Sequence, residues 1–214
     1  MSISKKQIRV WILIIIFLVI FIYLAVNKNL FVLRKNKLEI LNQKSQIYLP
    51  KILDKAAPQS SAPNSPNQIL IKVPFTSQAP FGVWDNLHNE ACEEAALIMA
   101  EHWLNQQPLT SHQAEQEILA AVDWQIKNWG GHYDLPAERI AALGRDFFNL
   151  KNIQLVVDPT IEQIKSDLVK GNLILVPAAG RLLKNPYFRQ PGPIYHVLVL
   201  RGFNGDKIIT NDSG

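Results

Sequence analysis

The stretch Ile194-Tyr195-His196-Val197-Leu198-Val199-Leu200-Arg201-Gly202-Phe203-Asn204-Gly205-Asp206-Lys207-Ile208-Ile209-Thr210-Asn211-Asp212 decides the fold. Two runs rich in β-branched and apolar residues flank an Asn-Gly turn signal, which is the pattern of a β-hairpin. Strand alternation places Ile194, His196, Leu198 and Leu200 on one face, so His196 lies in an apolar row directed inward. A histidine buried there needs a hydrogen-bond partner, and the hairpin register decides which residue supplies it. Partners whose numbers sum to 408 would set Asp212 opposite His196, which requires an odd-length loop or a bulge. A strict two-residue Asn204-Gly205 turn would direct Asn211 to that face instead. Asp212 is the preferred partner and Asn211 the alternative.

Working back from the hairpin, the pattern predicts strands at Ile69–Val73, Ile153–Val157 and Leu173–Val176, and a helix from Thr160 to Lys170 closed by Gly171. Earlier still, a helix starts near Thr110 or Ser111, carries Ile118, Leu119, Val122 and Ile126 on its apolar side and stops at Gly130-Gly131. Another follows Asp134-Leu135-Pro136 and runs to about Phe147 or Phe148. Helices come first and paired strands later, so the fold class is α+β, with N-terminal helices packed on a C-terminal antiparallel sheet. Gly180 to Pro193, rich in proline and bearing Tyr187 and Phe188, is a long loop suited to form a cleft wall or a surface excursion. No Walker A or Gly-rich dinucleotide motif is present.

The first helix of the domain is predicted over Asn89-Glu90-Ala91-Cys92-Glu93-Glu94-Ala95-Ala96-Leu97-Ile98-Met99-Ala100-Glu101-His102-Trp103. Asn89 suits the N-cap, and the glutamates suit the positive end of the helix dipole. Cys92, the only cysteine, then sits in the first turn at the head of a stripe through Ala96, Met99 and Trp103, with Glu94 and Glu101 on another side. Unpaired N–H groups and the dipole favour thiolate there. A lone cysteine is also commonly a small buried hydrophobe. His196 joins it as a possible base, and Asp212 as the group that fixes the imidazole tautomer, giving Cys, His and Asp in chain order.

Composition bounds the alternatives. A single cysteine excludes an internal disulfide and a multi-cysteine metal site, and the five histidines show no His-Glu-x-x-His spacing, so no metal and no cofactor are expected. Residues 1–55 carry a net charge of +8 and residues 56–214 a net −4. Basicity therefore belongs to the N-terminal part, and nucleic-acid binding is not expected of the folded part.

That N-terminal part begins with a short basic tail, residues 1–9, followed by an uncharged apolar run, Val10 to Val26, long enough to cross a bilayer core. Trp11 and Tyr23 lie near its ends as interfacial anchors. Leu24-Ala25-Val26-Asn27 is a poor cleavage site, so an uncleaved transmembrane helix is expected. Residues 27–68 read as a basic juxtamembrane segment and a Pro/Ser-rich linker, and residues 69–214 as the domain. Lysines and arginines flank both ends of the span. The short N-terminal tail favours a cell-membrane protein with its domain outside the cytoplasm.

Val73-Pro74-Phe75-Thr76-Ser77-Gln78, the Cys92 helix, Tyr195-His196-Val197-Leu198-Val199 with Gly202-Phe203, and Asn211-Asp212 together resemble the cysteine peptidase family 39-like group. These are bacterial relatives of bacteriocin-leader peptidases with a papain-like fold, and the resemblance covers roughly Ile69 to the C-terminus. It implies Cys92 as nucleophile, His196 as general base, Asp212 as its orienting partner, and Gln78 with the Cys92 backbone N–H as oxyanion donors. It implies a peptide or protein substrate. The chain departs from the family's common Cys-Gly-Pro-Ala in having Glu93-Glu94-Ala95, whose carboxylates are expected to oppose thiolate formation. It also separates Gln78 from Cys92 by a longer loop, which makes Asn86 a competing donor. The family continues with further strand where this chain stops at Gly214, so a truncated C-terminus or an incomplete sheet edge is expected. Three functions share these residues: a membrane-anchored thiol peptidase or amidase, a thiol acyltransferase, and an inactive peptide- or cell-wall-binding module.

Overall fold

The computed structural model describes residues 66–214 and the backbone of 45–49. The expected transmembrane helix at Val10–Val26 lies outside the described residues, and among the described residues no helix is long and apolar enough to cross a membrane. Four α-helices pack on an antiparallel sheet, which is the α+β class expected. The strands are β1 (Ser45–Leu49), β2 (Gln68–Leu70), β3 (Gln154–Val157), β4 (Leu173–Ala179), β5 (Tyr195–Asn204) and β6 (Lys207–Asp212). The helices are α1 (Cys92–Leu104), α2 (Ser111–Trp129), α3 (Ala137–Asp146) and α4 (Ile161–Val169). β1 falls inside the segment read as juxtamembrane region and linker, and it pairs with β3 on one side and β4 on the other.

The hairpin of β5 and β6 is centred on a two-residue Gly205-Asp206 turn, with Gly205 at φ 56°. Next to that turn Gly202 faces Ile209, but after it Leu200 faces Thr210, so Arg201 is an extra residue on β5. This bulge changes the parity of everything beyond it. Without it Asp212 would lie opposite Val199; with it Asp212 lies opposite Leu198, in the row of His196. The expected pairing of Asp212 directly opposite His196 does not occur: with the turn at Gly205-Asp206, the bulge brings Asp212 to the face of His196 one pair away. At the same point the edge of β5 passes from β4, which pairs Tyr195–Leu200, to β2, which pairs Gly202–Asn204. Glycine at 202 permits the crossing, since a Cβ there would collide with the Ile69 carbonyl. Arg201 fixes the bulge by donating from Nε to Ile71 O at 3.0 Å and from Nη1 to Asn211 Oδ1 at 3.1 Å.

The two rows of β5 face different helices. Leu198, Leu200 and Phe203 pack with Ile164 and Leu168 of α4 and Ile174 of β4. Val199 and its cross-strand partner Asn211 face α1, where Asn211 Nδ2 contacts Met99 Sδ at 3.5 Å. A second cluster joins Ile98 of α1 to Ile118 and Val122 of α2. Thr110 and Thr160 cap α2 and α4 with full capping boxes to Gln113 and Gln163, as Thr/Gln spacing favours.

Three expectations are corrected here. Ala91, not Asn89, precedes the first residue of α1, and Asn89 belongs to a short 3-10 turn at His88–Glu90. The helix has no polar face in its first half: Glu93 and Glu94 are as buried as their apolar neighbours, so Glu94 does not lie on a solvated side. On α2 the buried row is Ala114, Ile118, Ala121, Val122 and Gln125, while Leu119 and Ile126 are exposed. Ile118 and Val122, with Ala114 and Ala121 beside them, form the buried row, and Leu119 and Ile126 fall outside it.

Candidate active site

At the start of β5 the two rows end and a cleft of about 670 Å³ opens. Its lining includes Cys92 from the head of α1, His196 and Tyr195 from β5, and Gln78 from the segment after β2. The rest of the wall comes from Trp84, Asp134 and the loop carrying Tyr187, Phe188 and Arg189. The Gly180–Pro193 loop is thus a cleft wall. Phe188 stacks edge-on against His196 with ring centroids 5.1 Å apart. Gly180 lets the loop close on β5, because a Cβ there would lie 2.6 Å from the Pro193 carbonyl and 3.3 Å from His196 Cβ.

His196 is buried, and its Nε2 lies 2.6 Å from Asp212 Oδ1. Bulged pairing carries that contact, as the structural reason Asp212 and not Asn211 reaches the imidazole. Asn211 is committed elsewhere, donating to Pro74 O at 3.3 Å and accepting from Arg201. Asp212 is further held by Asn185 Nδ2 on Oδ2 at 2.8 Å and Gly214 N on Oδ1 at 3.1 Å. Burial works to raise the Asp212 pKa. The hydrogen bond and charge of His196, with those of Gly214 and Asn185, outweigh it and hold the carboxyl below its ordinary 3.8. An ionised Asp212 accepts only, so in neutral His196 the proton sits on Nε2 and Nδ1 is the basic nitrogen.

Gln78 is buried beside the cleft. Its Nε2 donates one hydrogen to His88 O at 2.7 Å, its Oε1 accepts from Ser213 Oγ at 3.4 Å, and its backbone N donates to Ser213 O at 3.0 Å. The second amide hydrogen is left for a ligand. The His88 ring that anchors this carbonyl is bracketed by Asp85 at 2.8 Å and Glu115 at 3.2 Å. Asn86, the competing donor, is exposed and does not line the cleft.

Cys92 is buried, and its Sγ lies 3.1 Å from Glu93 Oε2. Among the described residues no hydrogen bond joins Cys92 to His196. Burial, then the neighbouring Glu93, pushes the thiol well above the ordinary thiol range. Glu93 is itself fully buried, with Oε1 accepting Leu135 N at 2.6 Å. Burial first, and Glu94 second, raise its pKa well above 4.5. Tyr195 O–H donates to the Leu135 carbonyl at 2.5 Å, so one residue, through its N–H and its C=O, braces the head of α1 against the start of β5.

The sequence reading missed this acidic network. Glu94 accepts from Gln125 Nε2 and has His132 Nε2 3.6 Å away; burial lowers the His132 pKa, but Glu94 and Glu90 together raise it above its ordinary value. The signal was present: glutamates inside a helix otherwise apolar all round have no solvated side to occupy. A different group, Glu101, His102 and Glu117, brings potential metal-ligand atoms within 4.8 Å of one another. His102 is already satisfied by Pro108 O at 2.8 Å and Glu117 Oε1 at 3.0 Å.

Comparison with known proteins leaves the site to speak for itself: no family model, no curated protein and no solved structure matches the chain.

Proposed function

We propose that the chain is a thiol hydrolase, a cysteine peptidase or amidase of papain-like fold, acting through Cys92, His196, Asp212 and Gln78. The observation that carries this reading is the convergence of a helix-head cysteine, an Asp-oriented histidine and a buried glutamine amide on one cleft. In the reaction, His196 Nδ1 takes the thiol proton and Sγ bonds to the substrate carbonyl carbon. The oxyanion is met by the free Gln78 N–H and the Cys92 backbone N–H. The amide C–N bond breaks, and the amine leaves with the proton from His196. Water then gives its proton to His196 and its oxygen to the thioester, which releases the acid and restores the thiol. No cofactor takes part. Trp84 and Tyr187, both exposed on the cleft wall, suit an extended peptide with apolar side chains. The apolar run Val10–Val26 supports tethering of this domain to the cell membrane, on the outer side.

The test is turnover of a peptide-amide library by the full chain in mild detergent. Cys92→Ala is expected to abolish turnover while the melting temperature stays near that of the parent. Loss of stability typical of a core truncation, with no turnover in the parent, would favour a binding module instead. The hydrogen bond of Cys92 to Glu93 is the observation on that side.

A further inference from the structure

We propose that Glu93 is a positioning residue for the nucleophile: its carboxyl keeps its proton and donates a hydrogen bond to the sulfur of Cys92 once His196 has taken the thiol proton. This rests on the reading of Cys92 as a His196-assisted nucleophile.

The geometry assigns the role. Glu93 has no exposed surface, and its two oxygens have different partners. Oε1 accepts the Leu135 N–H at 2.6 Å, so the acid proton belongs on Oε2, the oxygen 3.1 Å from Sγ. The charged and titratable groups around it come from every neighbouring element: Cys92 and Glu94 on its own helix, Asp134 on the loop before α3, and Tyr195 on β5. None of these is a cation, and two of them, Glu94 and Asp134, are carboxylic acids. A carboxylate there would be a buried charge without a counter-ion, beside another acid, and such a group stays neutral. The direction of its pKa agrees.

A neutral carboxylic acid reverses both the effect expected from sequence and the upward push of Glu93 on the thiol, since each of those is the effect of an ionised Glu93. In the resting state the thiol S–H points to Oε2, which parks the sulfur. When the S–H proton moves to His196, the Glu93 O–H rotates onto the sulfur and replaces the lost bond; no proton leaves Glu93. Leu135, whose N–H meets Glu93 and whose carbonyl accepts from Tyr195 O–H, keeps the carboxyl in register between α1 and β5.

The experiment measures the ultraviolet thiolate titration and the iodoacetamide alkylation rate of the full chain in mild detergent. The parent is compared with Glu93→Gln, Glu93→Leu and His196→Ala. Gln retains an N–H donor of the same shape, and Leu has none. The thiolate midpoint of Glu93→Gln is expected to stay close to that of the parent. Glu93→Leu is expected to move it up by about one unit, with a roughly tenfold slower alkylation below it. If Leu titrates like the parent, or forms thiolate more readily, the donor role is overturned. If His196→Ala alkylates like the parent, the His196-assisted reading falls first, and the proposal with it. A second measurement needs no destabilised variant. Infrared difference spectra of the parent should show a protonated carboxyl band that is absent from Glu93→Gln and shifts when Cys92 is alkylated. Absence of that band overturns the proposal.

Discussion

Two carboxyl groups stand behind the cleft-lining pair, Asp212 beside His196 and Glu93 beside Cys92, and their surroundings drive them in opposite directions. Asp212, on the β6 side, is half-buried and collects donors from His196, Gly214 and Asn185, so it is held ionised below its usual range. Glu93, on the α1 side, is fully buried with a single N–H donor and an acidic neighbour, so its pKa is driven up. The same functional group thus serves one wall as an anion and the other as a neutral acid. The number of N–H groups aimed at the oxygens, set against the acids beside them, makes the difference. In the proposed mechanism the labour divides accordingly: the anion fixes the base, and the neutral acid attends the nucleophile.

The largest effect should come from removing the anion. Asp212→Asn keeps the shape but turns the group facing Nε2 into an amide that can present N–H, favouring the wrong imidazole tautomer. Turnover should fall by about 10²–10⁴, in the range known for orienting carboxylates and general bases, with substrate affinity little changed. Steady-state kcat and KM on the best library substrate check it. A loss confined to KM would break the comparison, because Asp212 would then be part of substrate binding.

A smaller effect, of opposite sign on the two walls, is expected in stability against pH. Asp212 has a folded pKa below its unfolded 3.8, so its contribution is present above that value and is lost as pH falls through the folded pKa. Glu93 has a folded pKa raised above its unfolded 4.5. Between those two values the unfolded chain has lost a proton that the native chain keeps, so Glu93 costs stability progressively as pH rises. Urea unfolding should therefore show Glu93→Gln gaining on the parent as pH increases above about 4.5, while the deficit of Asp212→Asn shrinks as pH drops below about 3.8. Parallel curves for parent and Glu93→Gln would mean that Glu93 is ionised in the fold.

How much of this contrast was legible in the chain differs between the walls. The hairpin, the caps at Thr110 and Thr160, the glycine stops at Gly130 and Gly171, and the place of Cys92 at a helix head all rest on local signals, and the structure has them. That Asp212 shares a face with His196 was legible, but neither expected register occurs: the turn is Gly205-Asp206, and Asp212 lies opposite Leu198. The Arg201 bulge, where β2 replaces β4 along β5, puts Asp212 on that face. The neutral state of Glu93 was not legible, because it depends on Leu135 and Tyr195 converging from distant parts of the chain. Short-range pattern set Glu94 on a side away from the Cys92 stripe; tertiary packing buries that side as fully as the stripe itself. Strand β1 was missed for a similar reason, since it is specified by the gap between β3 and β4 more than by its own short run.

The finest test of the contrast removes one donor without touching either carboxyl. Asn185 gives Asp212 one of its hydrogen bonds, at 2.8 Å, and its Oδ1 accepts the Tyr187 backbone N–H at 2.9 Å, so it also tethers the aromatic wall of the cleft. Asn185→Ala leaves the His196 and Gly214 bonds in place. A hydrogen bond to a charged group contributes about 1.5–3 kcal/mol when buried, and partial exposure of this pair should bring the loss to about 1 kcal/mol. Turnover should then drop severalfold, and the acid limb of the pH profile should move up towards the ordinary 3.8, because Asp212 has one donor fewer. Asn185→Asp should be worse than Asn185→Ala, since a second carboxylate beside Asp212 adds repulsion where alanine adds nothing. If both variants keep the acid limb of the parent and change only KM, Asn185 acts through the Tyr187 wall, and the ionised state of Asp212 rests on His196 and Gly214 alone.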